Sequence, residues 1–388
     1  WQRVFNEALN KSRYGECKSL LGVRDELWIK SDYLLGLISR AEGFYYTVLA
    51  RSAEAKQEYL EAVAAYDRAL ITNPDDRDTL RSKGFALLSL GQLQSGLSEL
   101  DAAKQSFSEA IAALNSALLI SPDYRPIINT KGLVLWSLGG VQESLRDFEA
   151  AKQSYSEALA AYNSDLLIAP DNDTILYSKG NLLGSLGDLQ VELNEFESAK
   201  QFYSEALATY NSALLIAPDN NGILNNKGSV FHSLGDLQVK LNEFESAKQF
   251  YLEAIAAYNS ALIIAPDSIS ALNNKGIVLK GLGALQEKLN EFESARQFYL
   301  EAIAAYNSAL IIAPDSISAL NNKGNALRSL GDLQEKLFER QEALKNWQEA
   351  LQIFNQCLAI VPNNDHLRNR RDALQEYLDN LDEDTVSS

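Results

Sequence analysis

The residues able to carry out acid-base, thiol or metal chemistry are few in this chain and lie far apart. The only histidines are His232 and His366, and the only cysteines, Cys17 and Cys357, lie near opposite ends. A nucleophile needs a base and an oxyanion donor beside it, and a zinc site or disulfide framework needs several closely spaced ligands or cysteines. None of the four residues has such neighbours in the sequence. We therefore expect no catalytic residue, no metal site and no cofactor.

Glutamate and lysine, by contrast, recur at a regular interval of 48 residues. We interpret the glutamates as part of a solvated helix face. Each lysine is expected to bury its methylene stem and to direct its ammonium group to a carboxylate or to water, with a functional lysine column as the alternative. The two sets are Glu157, Glu205, Glu253 and Glu301, and Lys83, Lys131, Lys179, Lys227, Lys275 and Lys323.

The interval reflects an internal repeat that runs through most of the chain. Seven of the eight prolines, from Pro74 to Pro362, are spaced 48 residues apart, and two columns of glycines keep the same step. A period of this size is typical of arrays whose units stack because none can bury its apolar face alone. Within one unit, segments 175–193 and 196–216 carry apolar residues at three- and four-residue spacing. This spacing predicts two antiparallel helices per unit.

The landmarks of the unit resemble those of the tetratricopeptide repeat, and the resemblance covers about residues 28–378. In one unit they are Leu176, Gly180 and Leu183 in the first helix, then Ala206, Tyr210, Ala213 and Pro218 in the second. The resemblance implies an all-α, right-handed α-α superhelix (a TPR-like solenoid) of about seven to eight antiparallel helix pairs. A family unit has about 34 residues, so the unit here is longer by about 14. If the two helices share these residues evenly, each helix is longer by nearly two turns. Its apolar stripe then stays almost in phase.

The ends of the chain depart from the repeat. Residues 1–27 are expected to be a helical cap or the edge of a missing domain, 28–362 the repeat array, and 363–388 a capping helix with an acidic tail. Because the sequence contains no methionine, we expect it to be a piece of a longer protein.

Composition limits the partners. A net charge of -17 argues against nucleic acid, and no apolar run approaches the roughly 20 residues of a membrane span. We expect protein or peptide partners, no nucleic acid, no membrane and a cytoplasmic location. The oligomeric state stays open.

Binding residues are expected in the first helices, which the resemblance implies to line the concave face of the solenoid. Framework positions repeat from unit to unit, whereas recognition positions are free to vary, so the variable first-helix positions are the candidates. They are Phe85, Leu88, Leu133, Trp136, Tyr177, Asn181, Asn225, His232, Asn273, Lys280, Asn321, Asn325 and Arg328.

These positions change in character along the array, from apolar around Trp136 to polar and basic around Arg328. We expect a groove that holds one extended or helical segment, with asparagine side chains bonded to its backbone. The alternative is that these positions vary freely and that Trp136 packs between units. A carboxylate clamp like that of some family members is not supported, because Tyr177 and Asn321 stand where its lysine would be.

The sequence therefore predicts a non-catalytic scaffold for protein interaction. An alternative is the sensor or regulatory part of a larger bacterial signalling enzyme, such as an ATPase or a caspase-like protease. A third possibility, in which each unit reads one nucleic-acid base, is disfavoured by the charge of -17.

Overall fold

The computed structural model describes residues 32–386, which form fifteen α-helices and no strand within that range. Twelve of the helices form six packed pairs of consecutive helices, and one helix follows the last pair. In chain order they are α1 (Asp32–Val48), α2 (Ser52–Thr72), α3 (Arg77–Gly96), α4 (Leu100–Ile120), α5 (Arg125–Ser144), α6 (Phe148–Ile168), α7 (Asp173–Glu192), α8 (Phe196–Ile216), α9 (Asn221–Lys240), α10 (Phe244–Ile264), α11 (Ile269–Lys288), α12 (Phe292–Ile312), α13 (Ile317–Lys336), α14 (Arg340–Ile360) and α15 (Asp365–Val386).

Prolines and polar caps fix the boundaries between pairs. The helix α8 ends two residues before Pro218, whose ring cannot continue a helix. The side chain of Asn220 then caps α9, accepting hydrogen bonds from the backbone N–H groups of Gly222 at 3.0 Å and Ile223 at 3.2 Å. Because the proline recurs in each unit, the boundaries also recur, even before α5, where Tyr124 stands at the capping position and makes no side-chain cap.

The turn inside each pair uses a left-handed residue that is not glycine. Asn242 has a φ of 61° and donates its N–H to Val239 O at 3.0 Å, while Glu243 N–H bonds Gln238 O at 2.8 Å. These two bonds satisfy carbonyls at the end of α9 in the Schellman arrangement. The same conformation recurs at Ala50, Ser98, Arg146, Asn194, Asn290 and Phe338.

The glycine columns allow the two helices of a pair to approach closely. A Cβ atom added to Gly276 would lie 2.5 Å from the ring of Tyr306, and one on Gly283 would lie 2.6 Å from the ring of Tyr299. The later glycine of α11 thus faces the earlier tyrosine of α12, as antiparallel packing requires. Glycine is needed here because an aromatic ring occupies the space of a side chain.

Cores continue from one pair to the next. One cluster joins Ala247, Tyr251 and Tyr258 of α10 to Val278 and Leu282 of α11. The helix α10 therefore packs on α9 through the glycines and on α11 through aliphatic residues. This arrangement is expected for units that cannot bury their apolar faces alone.

The chain divides into two compact units, one ending at Leu189 and the other beginning at Gln190. Successive first helices contact each other within each unit, as α3 contacts α5 and α11 contacts α13. The predicted all-α solenoid of helix pairs is confirmed. Helices of 20 and 21 residues replace the predicted 175–193 and 196–216, so the extra residues are shared almost evenly.

The described residues include one of the two expected terminal segments. Segment 1–27, expected to be a cap or a domain edge, lies outside the described residues. The helix α15 occupies the segment expected to contain a C-terminal cap.

Candidate protein-binding faces of the first helices

In the N-terminal unit, Phe85 is the most accessible of the predicted binding residues. Its side chain is 40% exposed, and the guanidinium carbon of Arg40 lies 4.9 Å from its ring centroid. An aromatic ring presented in this way offers apolar surface to a partner while the cation covers part of one face.

Leu88 does not belong to an accessible face. It is 1% exposed and lies in a core cluster with Val134 and Leu138 of α5. The prediction that Leu88 lines a groove is incompatible with this position, because a leucine four residues after the glycine covers the next first helix. At Leu88 the variable position is therefore a packing position.

Trp136 and Leu133 are half-buried. The indole Nε1 of Trp136 donates a hydrogen bond to Ser185 Oγ of α7 at 3.0 Å. Trp136 therefore packs between pairs, as the alternative interpretation anticipated, and only part of its ring is available to a partner. Tyr177 and Asn181 of α7 are also half-buried.

The asparagines of the C-terminal unit form a ladder of hydrogen bonds between pairs. Asn274 Nδ2 donates to Asn225 Oδ1 at 3.3 Å, Asn322 Nδ2 to Asn273 Oδ1 at 3.2 Å, and Arg370 Nη1 to Asn321 Oδ1 at 3.0 Å. We call these residues the asparagine ladder. The side-chain carbonyls of Asn225, Asn273 and Asn321 accept these hydrogen bonds from the following first helix or, for Asn321, from α15. These asparagines therefore join neighbouring helices.

His232 and Lys280 occupy the same position of successive pairs. His232 Nε2 lies 3.5 Å from Asp236 Oδ2, and its ring centroid is 5.9 Å from that of Tyr251. Burial lowers the pKa of the Lys280 ammonium, and the charge of Arg370 lowers it further, whereas Asp236 opposes the shift.

Arg328 is exposed and Asn325 is half-buried on α13. The Nε atom of Arg328 lies 4.0 Å from Asp332 Oδ2, one turn along the helix. Asp332 in turn accepts a hydrogen bond from Trp347 Nε1 at 2.9 Å. The guanidinium group is therefore accessible, and an anchored carboxylate lies beside it.

Carboxylates near the ends of several first helices are held by aromatic donors, a feature that sequence reasoning missed. The pairs are Tyr155 Oη with Glu143 at 2.9 Å, Tyr251 Oη with Asp236 at 2.5 Å, Tyr299 Oη with Glu287 at 2.9 Å, and Trp347 Nε1 with Asp332 at 2.9 Å. We call Glu143, Asp236, Glu287 and Asp332 the anchored carboxylates. The repeated aromatic column of the second helices was the signal available in the sequence. Anchored anions can receive lysine or arginine groups with little loss of side-chain entropy.

Two of the repeated lysines form the carboxylate contacts predicted for them. Lys83 Nζ lies 2.5 Å from Asp67 Oδ1, and Lys323 Nζ lies 3.1 Å from Glu349 Oε1. Both lysine side chains are largely buried. The interpretation of a buried stem with a paired ammonium group is confirmed at these two positions.

Two further residues that the sequence analysis singled out lie in the last two helices. Cys357 is buried, which raises the pKa of its thiol, and His366 is exposed near the start of α15. Among the side chains of residues 32–381, no group of three His, Cys, Asp or Glu residues could hold a metal ion.

Helix pairs joined by glycine-aromatic contacts, together with a tetratricopeptide repeat model that matches residues 180–212 and 225–260, define a tetratricopeptide repeat protein. The predicted resemblance is thus confirmed. The chain belongs to the family described as plant specific mitochondrial import receptor subunit TOM20, whose model matches residues 58–180 and 275–376, more than half of the chain.

Solved structures show similar helical repeats at low identity. The apo form of RapI is 13% identical, with 83% of this chain and 98% of that chain covered and a TM-score of 0.47. A tetratricopeptide repeat protein from Parabacteroides merdae is also 13% identical, with 88% and 99% covered and a TM-score of 0.43. YrrB, described as a TPR protein with an unusual peptide-binding site, is 17% identical, with 67% and 97% covered and a TM-score of 0.33. No match was found among curated protein sequences.

The predicted cytoplasmic location is wrong. The family match points instead to the mitochondrial outer membrane. The prediction rested on composition, which does not determine the compartment of a protein. Along the described part of the chain, no helix has both the length and the apolar character needed to cross a membrane.

Proposed function

We propose that this protein is a non-catalytic interaction scaffold that binds a segment of a partner protein on the first-helix faces of its units. The proposal is supported by accessible side chains of different chemistry on the first helices, whose framework residues repeat from unit to unit. Phe85 provides an exposed ring in the N-terminal unit, and Arg328 provides an exposed guanidinium group in the C-terminal unit.

The anchored carboxylates suggest the chemistry of the partner. Asp236 and Asp332 each lie one turn after a variable position, those of His232 and Arg328, and so share its helix face. Because the whole chain carries a charge of -17, a segment that contains lysine or arginine beside an apolar residue, with an acidic or carbonyl group for Arg328, fits these faces best.

The family match favours a receptor role for the scaffold. Its description as an import receptor subunit supports a partner that is itself a protein brought to the mitochondrial outer membrane. The regulatory array of a bacterial signalling enzyme stays an alternative prediction.

Affinity capture tests the proposal with one variant in each unit. Phe85→Asn introduces the residue found at the same position in Asn181 and Asn325, and Arg328→Ala removes an exposed charge. We expect a partner retained by the wild-type protein, identified by mass spectrometry, to be recovered at least about fivefold less with one of the variants, a loss of about 1 kcal/mol. Leu252→Ser, which creates the serine found at Ser204, is the matched control and should leave recovery unchanged. Equal recovery by all four proteins would exclude these faces.

A further inference from the structure

A buried carboxylate interrupts a column of alanines in the second helices. The side chain of Asp165 in α6 is 2% exposed, and its Oδ1 atom accepts a hydrogen bond from Arg125 Nε of α5 at 2.5 Å. Because five other second helices have alanine here, packing alone does not require the aspartate. A buried ion pair is in general weak evidence for stability. The alanines are Ala69, Ala117, Ala213, Ala261 and Ala309.

The start of α5 also departs from the repeat. Tyr124 stands at the N-cap position without making a side-chain cap, whereas Asn220 and Ser268 cap α9 and α11. Pro126, the one proline outside the 48-residue period, follows in the first turn. The guanidinium carbon of Arg77 lies 4.4 Å from the centroid of the Tyr124 ring and helps to fix that ring. The start of α5 thus differs in both its cap and its first turn.

A pocket in the N-terminal unit brings these departures together. It has a volume of about 540 Å³, within the usual range for small-molecule sites, and lies between the starts of α5 and α7 and the end of α6. Tyr124, Arg125, Pro126 and Asp165 line it, together with Ile175 of α7. We call it the aspartate pocket.

The ion pair leaves hydrogen-bonding groups free within the aspartate pocket. Arg125 Nε and Asp165 Oδ1 share the bond between the two side chains. Among the described residues, none forms a hydrogen bond with Arg125 Nη1, Arg125 Nη2 or Asp165 Oδ2. A guanidinium group only donates and a carboxylate only accepts. A molecule in the pocket therefore meets a donor and an acceptor side by side.

This combination favours a neutral group over an ion. A cation would compete with Arg125 for Asp165, and an anion would compete with Asp165 for Arg125. Asp123, an exposed carboxylate of the lining, repels an anion further. A neutral group with an acceptor and a donor on one edge competes with neither residue. Both of its hydrogen bonds would be to charged groups, which makes them stronger than bonds between neutral partners.

A primary carboxamide is the simplest group of this kind. Its carbonyl oxygen and one of its N–H bonds lie on the same edge. The amide of a peptide backbone is trans, so its N–H and its carbonyl point in opposite directions and cannot meet both residues at once. Tyr124, Pro126 and Ile175 offer apolar contact to the ring or aliphatic stem that carries the carboxamide.

We propose that the aspartate pocket binds a primary carboxamide, whose oxygen accepts a hydrogen bond from Arg125 and whose nitrogen donates one to Asp165. The carboxamide belongs to a free small molecule or to an asparagine or glutamine side chain of a partner protein. Occupation of the aspartate pocket does not depend on Phe85 or Arg328.

Binding of benzamide to the intact chain tests this proposal. Saturation-transfer NMR, titrated with benzamide, measures the Kd for the wild type and for two variants. Asp165→Ala creates the residue found in five other second helices, and the double variant Asp165→Ala with Arg125→Asn also creates the residue found at Asn221. Both variants should fold, as circular dichroism would verify. We expect each to bind benzamide at least about tenfold more weakly, because a hydrogen bond to a charged group is lost.

Matched ligands and matched variants keep the outcomes distinct. Benzoate carries only acceptors, benzamidine carries only donors, and N-methylbenzamide holds its amide trans. Each should bind the wild type at least about tenfold more weakly than benzamide does. Glu54→Ala removes a carboxylate paired with Arg51 outside the pocket and creates the residue found at Ala102. This variant should bind benzamide as the wild type does, and so should Phe85→Asn and Arg328→Ala.

Three results would overturn the proposal. They are equal Kd values for the wild type and Asp165→Ala, binding of benzoate or benzamidine as tight as that of benzamide, and no binding of benzamide at about 10 mM. A capped alanine-glutamine-alanine peptide and its glutamate counterpart then identify the carrier of the carboxamide. Tighter binding of the glutamine peptide than of benzamide and of the glutamate peptide assigns the pocket to a side chain of a partner. Weaker binding than benzamide assigns it to a free small molecule.

Discussion

At the scale of single residues, the buried tyrosines of the second helices differ in one hydrogen bond. The hydroxyl of Tyr258 lies 3.2 Å from Ser229 Oγ, whereas the hydroxyl of Tyr306 is buried without a partner among the described residues. The helices α4 and α14 carry Leu114 and Phe354 at this position. The hydroxyl is therefore not required for packing against the glycine.

Removing the tyrosine hydroxyl should change the free energy of unfolding in opposite directions at the two positions. Tyr306→Phe should raise the free energy of unfolding by about 1 kcal/mol, because it removes an unsatisfied polar group. Tyr258→Phe should lower it by about 1 kcal/mol, because it removes the hydrogen bond between Tyr258 and Ser229. Urea unfolding followed by circular dichroism measures both. A loss of stability in Tyr306→Phe would show that its hydroxyl is satisfied in solution.

The same tyrosines make the protein sensitive to alkali. Burial raises the pKa of Tyr66 and of Tyr258 to about 12, above the ordinary value of about 10 in the unfolded chain. The unfolded state therefore loses these protons first. The contribution of these tyrosines to the free energy of unfolding is fully present below pH 10 and is lost as the pH rises from about 10 to 12. Tyrosinate absorbance at 295 nm should rise together with the loss of helical circular dichroism. If buried tyrosines ionised before unfolding, their raised pKa values would be contradicted.

Several residue roles were beyond the reach of sequence alone. The variable positions identified Phe85 and Arg328 as accessible, but the same criterion selected Leu88, which is core. Variation between units cannot distinguish a packing contact from a recognition contact. The asparagine ladder was also missed, because its bonds join residues 49 apart, one more than the period.

At the scale of helices, one first helix contains both a necessary and a dispensable glycine. A Cβ atom on Gly276 would lie 2.5 Å from the Tyr306 ring, whereas one on Gly281 would meet nothing closer than 3.6 Å. Gly276→Ala should therefore cost about 1 to 3 kcal/mol of stability through overpacking. Gly281→Ala should add up to about 1 kcal/mol through helix propensity. Thermal unfolding of the two variants checks the prediction, which fails if both change stability in the same direction.

A substitution in the turn inside the last pair should raise the free energy of unfolding. Phe338 has a φ of 62° and is exposed, while Asn290 holds the equivalent turn of the preceding pair at the same φ. Asparagine tolerates the left-handed region better than phenylalanine does. Phe338→Asn should raise the free energy of unfolding by about 0.5 to 1 kcal/mol, and Asn290→Phe should lower it by a similar amount. Chemical denaturation measures both, and no gain for Phe338→Asn would indicate that its ring contributes contacts that offset the strain.

Helix positions were predicted well because the period and the prolines constrain them. The segment 196–216 was predicted without error, and the preceding helix was displaced by two residues or fewer at each end. The reason for the glycine columns was not predicted, since it depends on rings from the partner helix. Nor were the left-handed turns, because no glycine marks them.

At the scale of the whole chain, composition and period indicated the class of protein but not its location. The tetratricopeptide repeat fold agrees with a scaffold for protein interaction. The location came from the family match alone, because charge and hydropathy describe a surface rather than a compartment.

Site-specific photo-crosslinking would test the proposed binding faces most directly. A photoreactive amino acid placed at Phe85, Arg328 or Leu252 reports which surface a captured partner covers. The scaffold proposal predicts crosslinks from Phe85 or Arg328 and none from Leu252. A partner that crosslinks only from Leu252, or from none of the three positions, would contradict binding by the first helices.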